Sequence, residues 1–295
     1  MKAAFVAVVG RPSVGKSTLI NLICGEKVAI VTAVPQTTRN AIRGIYNSEQ
    51  GQLVFVDTPG RHDSQRKFNK KLLEVSDRTL DESDLVLYVL DAGRAPGQEE
   101  TEVAQRVSPL AEKTVIAINK VDSADIDSRK IKDFLSGHLP GILPERLFEI
   151  SAKNNTGIEP VLSALFALSP DESPFYDQEY YTDQGVDFRI SEIIREQAIL
   201  RLYDELPHSL YVEVADTEFK DAEKMHLWVR AFLMVERESQ KGMVVGKGGE
   251  KIKAIRLAAE KELNRIFDWK TELDLRVKTG KDWRSKDVTL KKLIG

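Results

Sequence analysis

A single cysteine in 295 residues rules out an internal disulfide, and with it the small stapled folds of secreted proteins. Cys24 closes the apolar stretch Leu22-Ile-Cys24, where core packing is the expected role rather than nucleophilic chemistry. Histidine is also scarce. His62, His138, His208 and His226 have no ligand-like spacing with the cysteine or one another, so no zinc site is expected. No apolar run approaches the roughly 20 residues of a membrane span, and Met1-Lys-Ala-Ala-Phe5 leads into a strand-like segment rather than a signal peptide. Net charge is only −3, with 42% hydrophobic and 30% charged residues, the composition of an ordinary folded chain long enough for one large domain or two.

What is present is a set of four short stretches in order along the first half. The first, Gly10-Arg11-Pro12-Ser13-Val14-Gly15-Lys16-Ser17, fits the phosphate-loop pattern G-x-x-x-x-G-K-[ST]. It follows the apolar run Phe5-Val-Ala-Val-Val9 and leads into the helical pattern Thr18-Leu-Ile-Asn-Leu-Ile23, the strand, loop and helix context that the pattern needs. Gly10 and Gly15 let main-chain N–H groups converge on phosphates, and the helix N-terminus adds about half a positive charge. Lys16 would reach the β- and γ-phosphates, and the Ser17 hydroxyl would ligate Mg²⁺. The second stretch, Asp57-Thr58-Pro59-Gly60, ends the apolar run Leu53-Val-Phe-Val56. A carboxylate there is placed to hold Mg²⁺, and Gly60, lacking a side chain, can bring its N–H close to a γ-phosphate.

The third stretch, Asn119-Lys120-Val-Asp122, follows the strand-like Thr114-Val-Ile-Ala-Ile118 and selects the base. A carboxylate at Asp122 can accept two hydrogen bonds, from guanine N1–H and the exocyclic amino group, and adenine offers no matching pair. Discrimination of roughly four or five orders of magnitude is available from such a site. The fourth, Ser151-Ala152-Lys153, follows Leu147-Phe-Glu-Ile150 and fits the loop whose Ala152 N–H meets guanine O6, with Asn119 and Lys120 bracing the loops and covering the base. Each stretch alone occurs by chance; four in this order, each at a strand end, predict a GTP/GDP pocket on a mostly parallel sheet.

Organisation changes near residue 170. Up to Leu168 strand and helix patterns alternate: Asp84 to Leu90 reads as a buried strand, Glu99 to Val107 and Gly157 to Leu168 as helices. Ser169-Pro-Asp-Glu-Ser-Pro174 then breaks the pattern, and an acidic stretch follows whose Tyr176, Tyr180 and Tyr181 suggest that it packs onto something. The expected division is a nucleotide-binding domain over 1–170, a linker over 171–188 and an α+β domain over 189–295. Charge divides at the same place: residues 1–187 carry 21 Lys/Arg against 27 Asp/Glu, and residues 188–295 carry 22 against 19. Seven basic residues against three acidic between Arg237 and Lys261, and seven against two between Arg276 and Lys292, point to phosphate backbones as a partner, or to a solvated lysine-rich face. The loop Gly246-Lys247-Gly248-Gly249 stands between an apolar segment and the amphipathic stretch Glu250 to Ala259, which carries Lys251 and Lys253. With helix 191–203, strands 209–215, 227–236 and 272–278, and a short helix before the loop, this reads as a type II KH arrangement that clamps single-stranded nucleic acid.

The nucleotide stretches resemble those of translation-factor-type GTPases. In that resemblance a threonine of Pro35-Gln-Thr-Thr-Arg39 meets Mg²⁺ and the γ-phosphate, Thr38 first and Thr37 as the fallback, so that Ser17, Thr38 and Asp57 form the metal set and Lys16, Thr38 and Gly60 act on the γ-phosphate. Taken with Glu192-Ile-Ile-Arg-Glu196, Asp204-Glu-Leu-Pro207 and the glycine loop, nearly the whole chain resembles the Era family of bacterial GTPases. The resemblance implies a GTPase, a P-loop α/β domain followed by a KH domain, and binding to 16S ribosomal RNA near its 3′ end in maturation of the 30S subunit; with no identifiable general base in the sequence, slow turnover is expected. It also implies a cytoplasmic monomer with peripheral association at the inner membrane. Two positions depart from it. Ser13 stands where relatives usually carry an asparagine that helps bind an activating K⁺, which puts K⁺ stimulation in question, and Arg61 stands where they usually carry an apolar residue. Arg61 reads either as an internal arginine finger or as an exposed loop residue.

Overall fold

Valine- and isoleucine-rich runs in the first half of the chain form one six-stranded sheet: β1 (Lys2–Val9), β2 (Ile42–Ser48), β3 (Gly51–Asp57), β4 (Leu85–Asp91), β5 (Thr114–Asn119) and β6 (Leu147–Glu149). The computed structural model describes residues 1–35, 37–59, 67–123, 128–221, 223 and 225–294. It divides into two units, Met1–Asp183 with residues 292–294, and Gln184–Lys291.

In the first unit the strand order is β2-β3-β1-β4-β5-β6, parallel throughout except for β2 against β3. Every residue of β3, β4 and β5 is buried, as expected of a sheet covered on both faces. The connecting helices are α1 (Lys16–Cys24), α2 (Lys67–Glu82), α3 (Gln98–Val107), α4 (Ser128–His138) and α5 (Ile158–Leu168). One core joins Tyr88, Leu90, Ile116 and Ile118 of the sheet to Val103 and Val107 of α3 and Ile131 and Leu135 of α4.

β2 is an element the sequence pattern does not announce. Gly44 interrupts its apolar residues, and the structure supplies the reason: a Cβ there would lie 2.7 Å from Ile20 Cγ2 and 2.8 Å from Cys24 Sγ, so α1 packs onto the strand where a side chain would stand. Burial pushes the Cys24 thiol up to about 12, which keeps it protonated and suits its expected packing role.

The stretch expected as a linker over 171–188 is largely part of the first unit. Gln52, buried in β3, accepts the Phe175 and Tyr176 N–H groups at 2.8 and 3.0 Å, and the Phe5 and Phe175 rings lie 4.5 Å apart. Ile45 N donates to Tyr181 O at 2.9 Å, and Thr182 Oγ1 donates to Arg43 O at 2.7 Å. Proline and acid mark a break in periodicity there, but the Gln52 side chain of β3 and the main chain of β2 at Arg43 and Ile45 fix the strap.

The second unit comprises α6 (Val186–Ile199), α7 (Leu206–Ser209), β7 (Tyr211–Phe219), β8 (His226–Val235), α8 (Glu238–Val245), α9 (Glu250–Ile266), β9 (Lys270–Thr279) and the start of α10 (Asp287–Ile294). α6 begins five residues before the expected start at Ser191. β7 and β8 pair antiparallel; β8 and β9 pair parallel and need a crossover, which α8 and α9 provide. The core draws Ile190, Ile194 and Ala198 from α6, Val229 and Leu233 from β8, Ile255 and Leu263 from α9 and Leu273 from β9.

Candidate functional site

The phosphate loop runs from the end of β1 into α1, and its glycines are required by the space around them. Gly10 has φ +150° and a Cβ there would lie 2.3 Å from Val89 O; Gly15 has φ +101° and a Cβ there would lie 2.4 Å from Asn119 Nδ2. Ser13 takes the left-handed region, φ 65°, without the help of glycine. The buried Lys16 donates from Nζ to Gly10 O at 2.9 Å and Arg11 O at 3.1 Å. Burial lowers its pKa, while the Asp57 charge pulls in the opposite direction. Around these groups lies a cavity of about 390 Å³ lined by Pro12, Ser13, Gly15, Lys16, Ser17, Thr18 and Lys120 on one side and by Ile30 to Val34, Thr37 and Thr38 on the other.

Three oxygen-bearing side chains meet at its edge. Ser17 Oγ donates to Asp57 Oδ2 at 2.6 Å, Thr38 Oγ1 donates to the same oxygen at 3.0 Å, and the two hydroxyls are 3.2 Å apart. Asp57 is fully buried, and burial raises its pKa against the pull of Lys16 and the two hydroxyls. Its Oδ1 is buried without a hydrogen-bond partner. An unpartnered carboxylate oxygen beside two hydroxyls is a hard-oxygen donor set that fits Mg²⁺, which usually takes one or two carboxylates and leaves room for phosphate and water. Thr37, the fallback for this role, instead bonds Thr32 Oγ1 and Val34 O, each at 2.7 Å. Thr58 Oγ1 turns away to Val8 O at 2.8 Å, and Pro59 is buried beside it. Gly60 and Arg61 lie outside the described residues.

On the side expected to meet the base, Asn119 ties two loops together, donating to Val14 O at 2.8 Å and accepting Ala152 N–H at 3.0 Å through Oδ1. The Ala152 N–H, expected at guanine O6, thus points to Asn119 here. Lys120 Nζ donates to Ser13 O and Asp91 Oδ2, both at 2.7 Å, leaving its carbon stem along the cavity. Asp122 Oδ1 accepts Ser151 Oγ at 2.6 Å, which holds the carboxylate below its usual range, and Lys153 Nζ lies 3.9 Å from the other oxygen. Arg11, expected in the nucleotide set, has its side chain buried in an ion pair with Glu100, while its carbonyl accepts Lys16 Nζ.

Sequence reasoning missed the Ile30 to Val34 wall, whose residues carry no pattern of their own. Asn21 places its approach by accepting Val28 N–H and Ala29 N–H at 2.9 and 2.8 Å and donating to Ala29 O at 2.7 Å. In the second unit, Gly246, Gly248 and Gly249 take positive φ of 76°, 59° and 81° and deliver α9 with Lys247, Lys251 and Lys253 exposed. A Cβ at Gly246 would lie 2.9 Å from Lys251 Cγ, whereas Gly248 and Gly249 face open space.

Comparison with known proteins gives the same two parts. Residues 5–120 match the family described as 50S ribosome-binding GTPase, and residues 205–284 match the KH domain. The chain is 50% identical over 293 residues to the GTPase Era of Treponema denticola, covering 99% of each, and 42% identical over 294 residues to that of Borreliella afzelii, covering both in full. It superposes with a TM-score of 0.93 on an Aquifex aeolicus Era variant bound to GDP·AlF₄⁻, at 29% identity and 99% coverage of each chain. The same TM-score and identity relate it to Era in complex with MgGDPNP and nucleotides 1506–1542 of 16S ribosomal RNA, over 99% of this chain and 98% of the other.

Proposed function

The chain belongs to the Era family of GTPases, and from that premise we propose that it binds GTP with Mg²⁺ and hydrolyses it slowly. We further propose that it binds 16S ribosomal RNA near its 3′ end as a switch in maturation of the 30S subunit. The observation that carries the reading is the meeting of Ser17, Thr38 and Asp57 beside Lys16, at the same strand ends that present Asp122.

Lys16 places its ammonium against the β- and γ-phosphates, and the loop N–H groups from Ser13 to Thr18 donate to phosphate oxygens. Ser17, Thr38 and Asp57 hold Mg²⁺, which when bound supplies positive charge against the β- and γ-phosphates. Asp122 selects guanine, Asn119 and Ser151 fix its loop, and Lys120 covers the base. Gly60 reports the γ-phosphate through its N–H. The reading assigns no general base, so intrinsic turnover of roughly 10⁻⁴ to 10⁻² per second is expected, as for unassisted GTPases. K⁺ activation is in question, since by the resemblance Ser13 stands where an asparagine is usual; hydrolysis rates in KCl against NaCl decide it.

Gly246 to Gly249, Lys247, Lys251 and Lys253 form the RNA clamp. The match over 5–120 is to a family named for the large subunit, but it stops before the second unit, whereas the full-length likeness to a protein holding 16S RNA supports the small subunit. The reading extends to a cytoplasmic monomer that meets the inner membrane only at its surface. Among the described residues no helix is long and apolar enough to cross a membrane.

The decisive experiment is phosphate release from GTP and ATP by purified protein with Mg²⁺, where hydrolysis of GTP alone is expected and indifference to the base overturns the reading. Filter binding of a 3′ fragment of 16S RNA across a salt titration tests the second part: a steep loss of affinity with salt is expected. Equal RNA affinity of GTP- and GDP-loaded protein would remove the switch while leaving the GTPase.

A further inference from the structure

Glu100 lies outside all four nucleotide stretches, yet its carboxylate is buried against the phosphate loop. It stands in the first turn of α3, 4% exposed, and its Oε1 pairs with Nε of Arg11, the second loop residue, itself 8% exposed. The other oxygen, Oε2, accepts the Gly97 N–H at 3.1 Å at the start of α3, and the Glu100 carbonyl accepts Tyr88 Oη at 3.3 Å. The carboxylate is therefore fixed from the helix side and gives Arg11 a stationary counter-charge.

The later half of the loop is held by the guanine stretches, Lys120 at Ser13 O and Asn119 at Val14 O. The earlier half carries the two carbonyls, Gly10 O and Arg11 O, that receive Lys16 Nζ at 2.9 and 3.1 Å. We propose that Glu100 is a positioning residue of the phosphate site: by anchoring Arg11 it sets the carbonyls that aim the Lys16 ammonium at the β- and γ-phosphates. This rests on the reading of the cavity as a guanine-nucleotide site. A buried pair with no functional duty is replaceable by uncharged side chains at little cost, whereas removal of one partner strands a charge. The pair can therefore be tested as a unit.

The test uses the full chain carrying Arg11→Met together with Glu100→Gln, which removes both charges and keeps an acceptor for the Gly97 N–H. GDP titration with Mg²⁺ is read beside thermal melting without nucleotide. The expected result is melting as in the parent with GDP bound more weakly, on the order of tenfold to a hundredfold, the scale on which ~1 Å of misplacement acts. Arg11→Lys alone, which keeps a cation against Glu100, is expected to recover most of that loss. A double variant that binds GDP as the parent does overturns the inference, as does one that loses cooperative melting, which would make the pair purely structural. A parent that fails to bind GDP removes the nucleotide reading and this inference together; a parent that binds it, with an equal double variant, removes this inference alone.

Discussion

Thr38 Oγ1 donates to Asp57 Oδ2 at 3.0 Å, which brings the loop between α1 and β2 onto the strand end that carries the buried carboxylate. Asp57 already receives Ser17 Oγ, so one carboxylate oxygen is shared by hydroxyls from two elements while the other oxygen stays unpartnered. β2 begins at Ile42, four residues after Thr38, and its main chain is bonded in turn by the strap at Tyr181 and Thr182. Loss of the Thr38 contact would therefore release a segment whose far end is held in the sheet.

Thr38→Val keeps the shape and removes the hydroxyl. Hydrolysis should fall by about a hundredfold, the usual cost of removing one group that stabilises developing charge, while GDP affinity should change little because Lys16, Ser17 and Asp122 are untouched. Single-turnover phosphate release and a GDP titration separate the two quantities. An unchanged hydrolysis rate would assign the role elsewhere.

Asp122→Asn exchanges an acceptor for an amide that can donate. The amide oxygen still accepts guanine N1–H, but the amide NH₂ now faces the exocyclic amino group; one charge-assisted hydrogen bond is lost and a buried donor is left unpaired, at about 1.5–3 kcal/mol each, so GTP affinity should drop by roughly a thousandfold. Xanthine carries a carbonyl where guanine carries its amino group, and the new amide suits it. Calorimetric titration with both nucleotides should show the preference invert, and a uniform loss for both bases would place the carboxylate outside the base site.

The pocket was legible in the sequence to the extent that its chemistry needs particular residue types at strand ends. Gly10 and Gly15 are demanded by contacts with Val89 and Asn119, and Lys16, Ser17, Asp57 and Asp122 are the residue types that the proposed nucleotide chemistry requires. Resemblance ranks Thr38 ahead of the adjacent Thr37, and the fold gives the two different partners: Thr38 reaches Asp57, whereas Thr37 turns to Thr32. What was hidden depends on partners far apart in the chain. Arg11 reads as a loop residue until Glu100 is seen beside it, and Gly44 has no evident role until Cys24 and Ile20 are seen against it. The tyrosines of the stretch over 171–183 point to packing, but its partners, Gln52 and the main chain of β2, are not written in its composition.

In the second unit Asp274 accepts Arg276 Nε and Nη2, both at 3.0 Å, and Arg230 Nε at 3.2 Å. The hydrogen bonds from Arg276 hold its pKa below the usual carboxylate range, with Arg230 adding to the effect. A depressed folded value means that the ionised form stabilises the fold above the unfolded pKa of about 3.9 and that this contribution is lost as pH falls through the folded value. Asp274→Asn should therefore lower stability at neutral pH by no more than about 1 kcal/mol, since the group is partly open to solvent. Urea unfolding of parent and variant should show that gap closing as pH is taken from about 6 toward about 3; a gap that widens in acid would contradict the assignment.

Gly248 stands at φ 59° with no atom within 4 Å of where a Cβ would sit, so a side chain there meets only conformational cost. Aspartate and asparagine both enter the left-handed region more readily than other residues. Gly248→Asp and Gly248→Asn should accordingly keep the fold, with melting temperatures close to one another, and differ in one respect, the added negative charge beside Lys247. If the loop lies against a phosphate backbone, the aspartate variant should lose RNA affinity by about tenfold or more and show a shallower dependence on salt, while the asparagine variant binds nearly as the parent does. Filter binding of both variants at several salt concentrations reads this directly. Equal loss in the two would mean that backbone freedom rather than proximity to phosphate is what the glycine supplies, and equal retention would move the RNA contact away from this loop.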